Sequence, residues 1–301
     1  MSRRPLGRPE PWPAPAKLNL FLHIVGRRPD GYHRLQTVFR FVDLTDELRF
    51  WQRPPGVIER VGDVANVPES RDLTLRAARL LADYARSRGE RPDPLPGVGI
   101  ELDKRIPIQA GLGGGSSDAA TVLAALNALW GLNLPATTLA ALGLELGADV
   151  PVFLGGRAAW AEGIGEVLTP IELPPAHYVV IEPDAAVSTA EVFQAPELTR
   201  DSPVITIRGF LGSGGHNDCE AVVRSRYPAV AEALDWLATF TEARLTGTGS
   251  CVFGAVPDAA EARAILAQLP ARWRGHWVRG LDRSPLLDRV ELERGARGVA
   301  G

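Results

Sequence analysis

The run PIQAGLGGGSSDAATVLAALNAL, residues 107 to 129, constrains this chain more than any other segment. Glycine fills four of the five positions from Gly111 to Gly115. Without Cβ atoms, that backbone takes positive φ and comes close to a ligand. Ser116, Ser117 and Asp118 then open a helix of almost wholly apolar residues, stopped by Gly131. Such a helix has no face to give to water, so it must be buried within its domain. Its N-terminus carries free N–H groups and about half a positive charge. Glycines and helix end together suit a phosphate chain. The same residues also fit a tight serine-capped loop without a ligand. No Gly-Lys-Ser/Thr follows, so the loop is not a Walker A motif. Gly111-Leu-Gly-Gly-Gly-Ser ends in Ser where a dinucleotide fingerprint needs Gly, and no βαβ opening precedes it.

The 301 residues amount to two ordinary domains of ~150 each. The 45% apolar and 23% charged fractions are those of a globular protein. A net charge of −3 provides no basic field for nucleic acid, which favours small-molecule partners. Two cysteines, Cys219 and Cys251, are too few for a disulfide framework and point to a reducing cytoplasm. No apolar run reaches the ~18 residues that a membrane span needs. Residues 1 to 16 hold five prolines and no apolar signal region, and read as a short flexible tail. His23, His177, His216 and His276 lack ligand spacing, so no structural metal is expected. Oligomeric state is left open.

Of 33 basic residues only Lys17 and Lys104 are lysines. A GC-rich genome explains the bias but not which two positions escaped it. A compact ammonium fits where a planar guanidinium does not, which marks both lysines as candidates.

Apolar periodicity predicts strands over 14–26 and 35–43, a hairpin of 47–51 with 57–61, and a helix over 72–86. A strand over 98–103 leads into the glycine loop and its helix, followed by a helix over 137–146. A hairpin over 158–172 comes next, then a strand over 178–182 and a short helix opened by the capping box Ser188-Thr-Ala-Glu191. Helices over 217–226, 228–240 and 258–268 and strands over 251–256 and 276–280 complete the reading. A boundary near residue 160 divides the chain into 1–160 and 161–301.

Several polar residues sit where chemistry or simple structure would each explain them. Asp149, between Ala148 and Val150, is either the cap of the turn entered at Pro151 or a catalytic base. Lys17 lies in an apolar strand, where a lone lysine is ordinarily on the outer face. Asn19 shares its face by the two-residue period. Tyr32 and His33 follow a Pro-Asp-Gly turn, and could stack on and pair with a base or simply be surface. Phe193 is a second aromatic for such a base or a core residue. Thr189 could contact a substrate or cap its helix. Cys251 reads as a buried small hydrophobe.

Three stretches, PAKLNLFLHIVGRRPDGYHRLQTVF, PIQAGLGGGSSDAATVLAALN and LTGTGSCVF, resemble the three signature regions of the GHMP kinase superfamily. Asp-Gly-Tyr-His, GADVPVF and His-Asn-Asp-Cys-Glu resemble the branch that phosphorylates a cytidine-diphosphate sugar alcohol in non-mevalonate isoprenoid synthesis. The resemblance runs from about residue 14 to 285. It implies an α+β two-domain fold with the active site in the interdomain cleft, a nucleotide-binding first domain and a substrate-binding second one. It implies transfer of the γ-phosphoryl of ATP, with Mg²⁺, onto a hydroxyl. Lys17 and Asp149 take the catalytic positions. Lys104, Pro107, Ile108, Gln109, Ala110, Gly111, Leu112, Gly113, Gly114, Gly115, Ser116 and Ser117 take those around ATP. Asn19, Tyr32, His33, Thr189 and Phe193 take those around the acceptor. Mg²⁺ would arrive with ATP, touching Ser117 or Asp149. Asp72 stands where the family usually has Asn, which puts its adenine contact in doubt, and Gln109 and Ala110 depart from the usual glycine-rich entry. A mevalonate- or homoserine-type kinase and a non-catalytic nucleotide-binding regulator are the alternatives. Tyr32-His33 speaks against the first, and the presence of both Lys17 and Asp149 against the second.

Overall fold

In the computed structural model, residues 4–63, 67–89 and 94–298 are described. Two long strands organise the first half, β1 (Trp12–Arg27) and β2 (His33–Arg53), paired antiparallel through Trp12↔Leu48 to Arg27↔His33. Register shifts between Pro15 and Ala16 and between Asn19 and Leu22 bend β1 where the candidate residues lie. Beyond β3 (Ile58–Val61), α1 (Leu73–Ser87) and β4 (Gly97–Asp103) comes the buried helix α2 (Gly114–Leu129). Then follow α3 (Ala136–Leu146), α4 (Val150–Gly155), and the hairpin β5 (Ala159–Glu162) and β6 (Val167–Pro170).

The second half contains β7 (His177–Glu182), α5 (Thr189–Gln194), α6 (Ile207–Ser213), α7 (Glu220–Arg226) and α8 (Pro228–Ala238). It closes with β8 (Ala243–Leu245), β9 (Val252–Val256), α9 (Ala259–Leu266), β10 (Arg274–Leu281) and α10 (Pro285–Gly298). The sheet order is β3-β4-β2-β10-β7-β9-β8. The fold is α+β, with antiparallel pairing except between β3 and β4. One apolar core joins α1, α2 and the β1–β2 sheet, and another joins β7, β9 and helices α5, α7, α8 and α9.

Two expectations are corrected. Segments 47–51 and 57–61 do not form a hairpin, because β4 lies between β2 and β3. Gly97 makes this possible: a Cβ there would fall 1.9 Å from the carbonyl oxygen of Pro54. The N-terminal stretch is not a free tail from residue 4 onward. Leu6 N–H donates to Phe50 O at 2.8 Å, and Trp12 is buried beneath the Arg289 guanidinium, 4.3 Å from its ring. Prolines mark an edge here, while Leu6 and Trp12 supply the apolar area that holds it down. Helices α6 and α10 carry no element in the sequence reading. α10 packs on α2 and β1, placing Leu286 and Val290 in the first core. The 160 position falls within β5, which pairs with β2.

Candidate active site

α2 begins as its composition demands. Fourteen of its residues are buried, and the residue before it, Gly113, is left-handed at φ 72°. A Cβ on Gly113 would lie 2.8 Å from Phe153 Cζ and 3.0 Å from Lys17 Cε. The loop therefore rests directly on the Lys17 side chain. Gly111, at φ +77°, admits equally close contact with the third motif: a Cβ there would meet Thr246 O at 2.2 Å. Thr246 Oγ1 donates to Gly111 O at 3.3 Å and Cys251 N–H to Ala110 O at 3.1 Å. The 246–251 turn thus props the glycine loop, and Cys251 is fully buried, which pushes its thiol up. Gln109 takes φ +57°, a conformation glycine would adopt more easily.

Lys17 is 3% exposed, so it is not an outer-face lysine. Its backbone N–H donates to Leu112 O at 3.0 Å. Its ammonium donates to Asn19 Oδ1, lies 3.3 Å from Asp149 Oδ2, and stands 5.2 Å from the Phe39 ring centre. Asn19 is held in turn by Thr37 Oγ1, which accepts from its Nδ2 at 2.9 Å, and by Thr246 Oγ1, which accepts from its N–H at 3.0 Å. Asp149 occupies the N-cap position of α4, yet its side chain makes no capping hydrogen bond. The carboxylate is 34% exposed and turned to Lys17 instead.

Two cavities adjoin at the glycine loop, and this pair lines the larger of them. The larger, about 1000 Å³, is lined by Lys17, Asn19 and Asp149 at one end and by Tyr32, His33, Thr189 and Phe193 elsewhere. The smaller, about 350 Å³, is lined by Lys104, Pro107, Ile108, Gln109, Ala110 and Gly113 to Ser116, with Asp72 and Asp118. Gln109, Gly111, Gly113 and Ser116 line both. Leu112 and Ser117 line neither. The Leu112 side chain is in the core with Ala16, Leu18 and Ile106, and Ser117 Oγ is buried without a partner in the first turn of α2.

At the base end, Tyr32 is 61% exposed and His33 stacks on Phe193, with centroids 5.2 Å apart and 26° between planes. Burial, then the cations Arg200 and Arg27, hold the His33 pKa below its ordinary value. Thr189 does not cap α5. Ser188 does, accepting from Glu191 N–H at 3.3 Å, while Thr189 Oγ1 shares a 2.8 Å hydrogen bond with Thr248 Oγ1.

Under the smaller cavity, Lys104 Nζ donates to Asp118 Oδ2 at 2.7 Å and also to Asp46. Asp46 further accepts from the N–H groups of Arg105 and Ile106, at 2.6 and 2.8 Å. Burial opposes the Lys104 charge, but the two carboxylates outweigh it and leave its pKa raised. Burial pushes Asp118 up to about 8, against the pull of Lys104. Asp72 caps α1, accepting from Thr74 N–H at 2.9 Å and Thr74 Oγ1 at 2.6 Å. Thr248, Asp118 and Arg200 escaped the sequence reading, because their roles arise from contacts across the fold rather than from spacing.

Residues 72–157 match the GHMP kinases N terminal domain and residues 205–275 the GHMP kinases C terminal domain. A protein of Alkalilimnicola ehrlichii named 4-diphosphocytidyl-2-C-methyl-D-erythritol kinase is 56% identical over 282 residues, covering 94% of each chain. One of Thiobacillus denitrificans with the same name is 55% identical over 93% of this chain and 98% of its own. A crystal structure of 4-(cytidine 5'-diphospho)-2C-methyl-D-erythritol kinase superposes with a TM-score of 0.76 at 36% identity, covering 89% of this chain and 98% of that one. The mevalonate kinase of Methanococcus jannaschii shares the fold, with a TM-score of 0.67 at 18% identity, over 91% of this chain and 99% of its own. The chain belongs to the GHMP kinase family, and at such identity over nearly its whole length it falls among the 4-diphosphocytidyl-2-C-methyl-D-erythritol kinases. Among the described residues, no helix is long and apolar enough to cross a membrane.

Proposed function

We propose that this chain transfers the γ-phosphoryl group of ATP to the 2-hydroxyl of 4-diphosphocytidyl-2-C-methyl-D-erythritol, giving the 2-phosphate and ADP. The observation that carries the mechanism is the Lys17–Asp149 pair, 3.3 Å apart in the larger cavity, with Lys17 against Gly113 of the glycine loop that lines both cavities. The smaller cavity, with the glycine loop and the α2 N-terminus, suits a nucleotide triphosphate. The larger has room for a cytidine-diphosphate acceptor, with Tyr32, His33 and Phe193 around the base and Asn19 and Thr189 toward the remainder.

Phosphoryl transfer needs a positioned hydroxyl and stabilised charge more than covalent chemistry. Asp149, free of any capping bond, orients the acceptor hydroxyl and takes its proton. The oxygen forms its bond to the γ-phosphorus as the bond from that phosphorus to the β,γ-bridging oxygen breaks, and ADP leaves. Lys17 stabilises the Asp149 charge and the developing oxyanion, and Asn19 holds the ammonium in place. Of the two hard-oxygen groups expected to suit a magnesium ion, the part-exposed Asp149 faces the larger cavity, whereas the Ser117 hydroxyl is buried away from both cavities. Such an ion neutralises phosphate charge when bound with the nucleotide. The setting consistent with this chemistry is cytoplasmic, with small-molecule partners only.

The test compares acceptors by ADP release with Mg-ATP. Free methylerythritol phosphate lacks base stacking of ~1–3 kcal/mol, so its kcat/KM should be roughly 5- to 150-fold lower. Equal values would overturn the base-end assignment, and no ADP release with either acceptor would overturn the kinase itself.

A further inference from the structure

His33 is the ring at the base end that can offer a ligand either a donor or an acceptor, and a contact across the fold decides which. Arg200 Nε donates to His33 Nε2 at 3.1 Å. Arginine has no acceptor and keeps its protons, so Nε2 is the unprotonated nitrogen and Nδ1 carries the hydrogen. Arg200 is itself fixed. Its Nη1 donates to Leu198 O at 2.9 Å, and its Nη2 to Ala195 O at 2.7 Å and Phe193 O at 3.1 Å. One guanidinium therefore sets both the tautomer of His33 and the backbone that carries the Phe193 ring stacked on it.

The charged groups facing His33 are Arg200, from the segment after α5, and Arg27, from the end of β1. Phe193 of α5 is neutral, and Asp30 in the β1–β2 turn is paired with Arg28 at 2.7 Å. An added proton on His33 would place an Nε2–H against the guanidinium, donor against donor, between two cations.

We infer that Arg200 is a positioning residue that locks His33 as the neutral Nδ1–H tautomer, so that the base end selects a ligand edge offering a hydrogen-bond acceptor. The inference rests on the cytidine-diphosphate acceptor proposed above. Cytosine has acceptors at N3 and O2 on its pairing edge, whereas uracil has an N–H at position 3. The Nδ1–H tautomer thus favours the first base over the second.

Long-range ¹⁵N spectra of the ligand-free full chain read the tautomer directly, with the His33 signal assigned by its loss in His33→Asn. The expected result is a protonated Nδ1 and an unprotonated Nε2, with titration only below the ~6.5 of an ordinary histidine. An Nε2–H tautomer, or titration near 6.5, would overturn the inference. In steady-state assays, Arg200→Met should raise the acceptor KM roughly tenfold, the scale of one hydrogen bond. The kcat and the KM for ATP should hold, and the KM rise should shrink as pH falls and His33 protonates, because the imidazolium carries an Nδ1–H in any case. In a His33→Asn background the same change should move KM less than twofold, because an amide offers its donor unaided. An equal effect in both backgrounds would make Arg200 a mere prop for the Phe193 segment and refute the positioning role. Should Arg200→Met not fold, the spectra of the parent chain still decide the matter. If the tautomer is as expected but cytidylyl acceptors are not preferred, the acceptor assignment fails and the Arg200–His33 lock stands.

Discussion

Replacing Lys17 with arginine keeps the charge and changes only its shape, which makes it the sharpest test of the transfer site. Lys17 is one of two lysines among 33 basic residues, so a position needing charge alone would ordinarily hold arginine here. Its surroundings give the reason. Cε already lies against the glycine loop, where a Cβ on Gly113 would stand 3.0 Å away, and Nζ is 3.3 Å from Asp149 Oδ2. Arginine would put Nε near the Cε position and Cζ near the Nζ position, and carry its planar fork into that 3.3 Å gap and the acceptor's space. Unit charges at that distance attract by about 5 kcal/mol at an effective dielectric of ~20. Solvent screens part of this, since Asp149 is 34% exposed. Misplacing the charge should forfeit about 3 kcal/mol of transition-state stabilisation, roughly 100-fold in kcat. The assay is steady-state ADP release with saturating ATP and acceptor, together with a direct ATP titration and a thermal melt. ATP affinity should stay within about threefold, and overpacking should cost stability no more than ~1–3 kcal/mol. A kcat within about threefold of the parent, in a folded protein, would refute the ammonium-specific role.

Asp149→Asn should lower kcat by ~10²–10⁴ with ATP affinity little changed; near-parental turnover would remove Asp149 from proton transfer. Gly113→Ala imposes a left-handed conformation at φ +72° and a contact of 2.8 Å on Phe153, so it should cost about 2–4 kcal/mol in denaturant unfolding. A neutral result there would mean the loop does not rest on Lys17 and Phe153 as described. Asp118 is pushed up to about 8 from an ordinary 3.8, so the folded chain holds a proton that the unfolded chain releases. Its contribution is full at low pH and is lost as pH rises from about 4 to 8. Asp118→Asn, which mimics the protonated acid, should lose less stability than the parent between pH 6 and 8.5 by urea unfolding. Parallel stability curves would show that Asp118 ionises normally.

The sequence by itself determined the local chemistry. Four glycines among residues 111 to 115 ahead of an apolar run specified a tight loop opening a buried helix, because neither feature needs a distant partner to be read. The two-residue period put Lys17 and Asn19 on one face, and their hydrogen bond follows from it. What spacing left open were choices between two local roles, and contacts between distant segments settled them. Asp149 could cap α4 or face a lysine, and Lys17, more than a hundred residues earlier, draws it away from the cap. Thr189 could cap α5, but the Thr248 hydroxyl in the third motif holds it while Ser188 caps. Strand order was likewise invisible, since segments 47–51 and 57–61 read as neighbours until β4, with glycine at 97 and 99, entered between them. Leu6 and Trp12 looked like part of a proline-broken tail because the surfaces that bury them, Phe50 and Arg289, come from the far edge of β2 and from α10. Periodicity and turn chemistry act within a few residues. Which side chain finds which partner depends on how the whole chain closes its cores, and that information is carried by no single stretch of it.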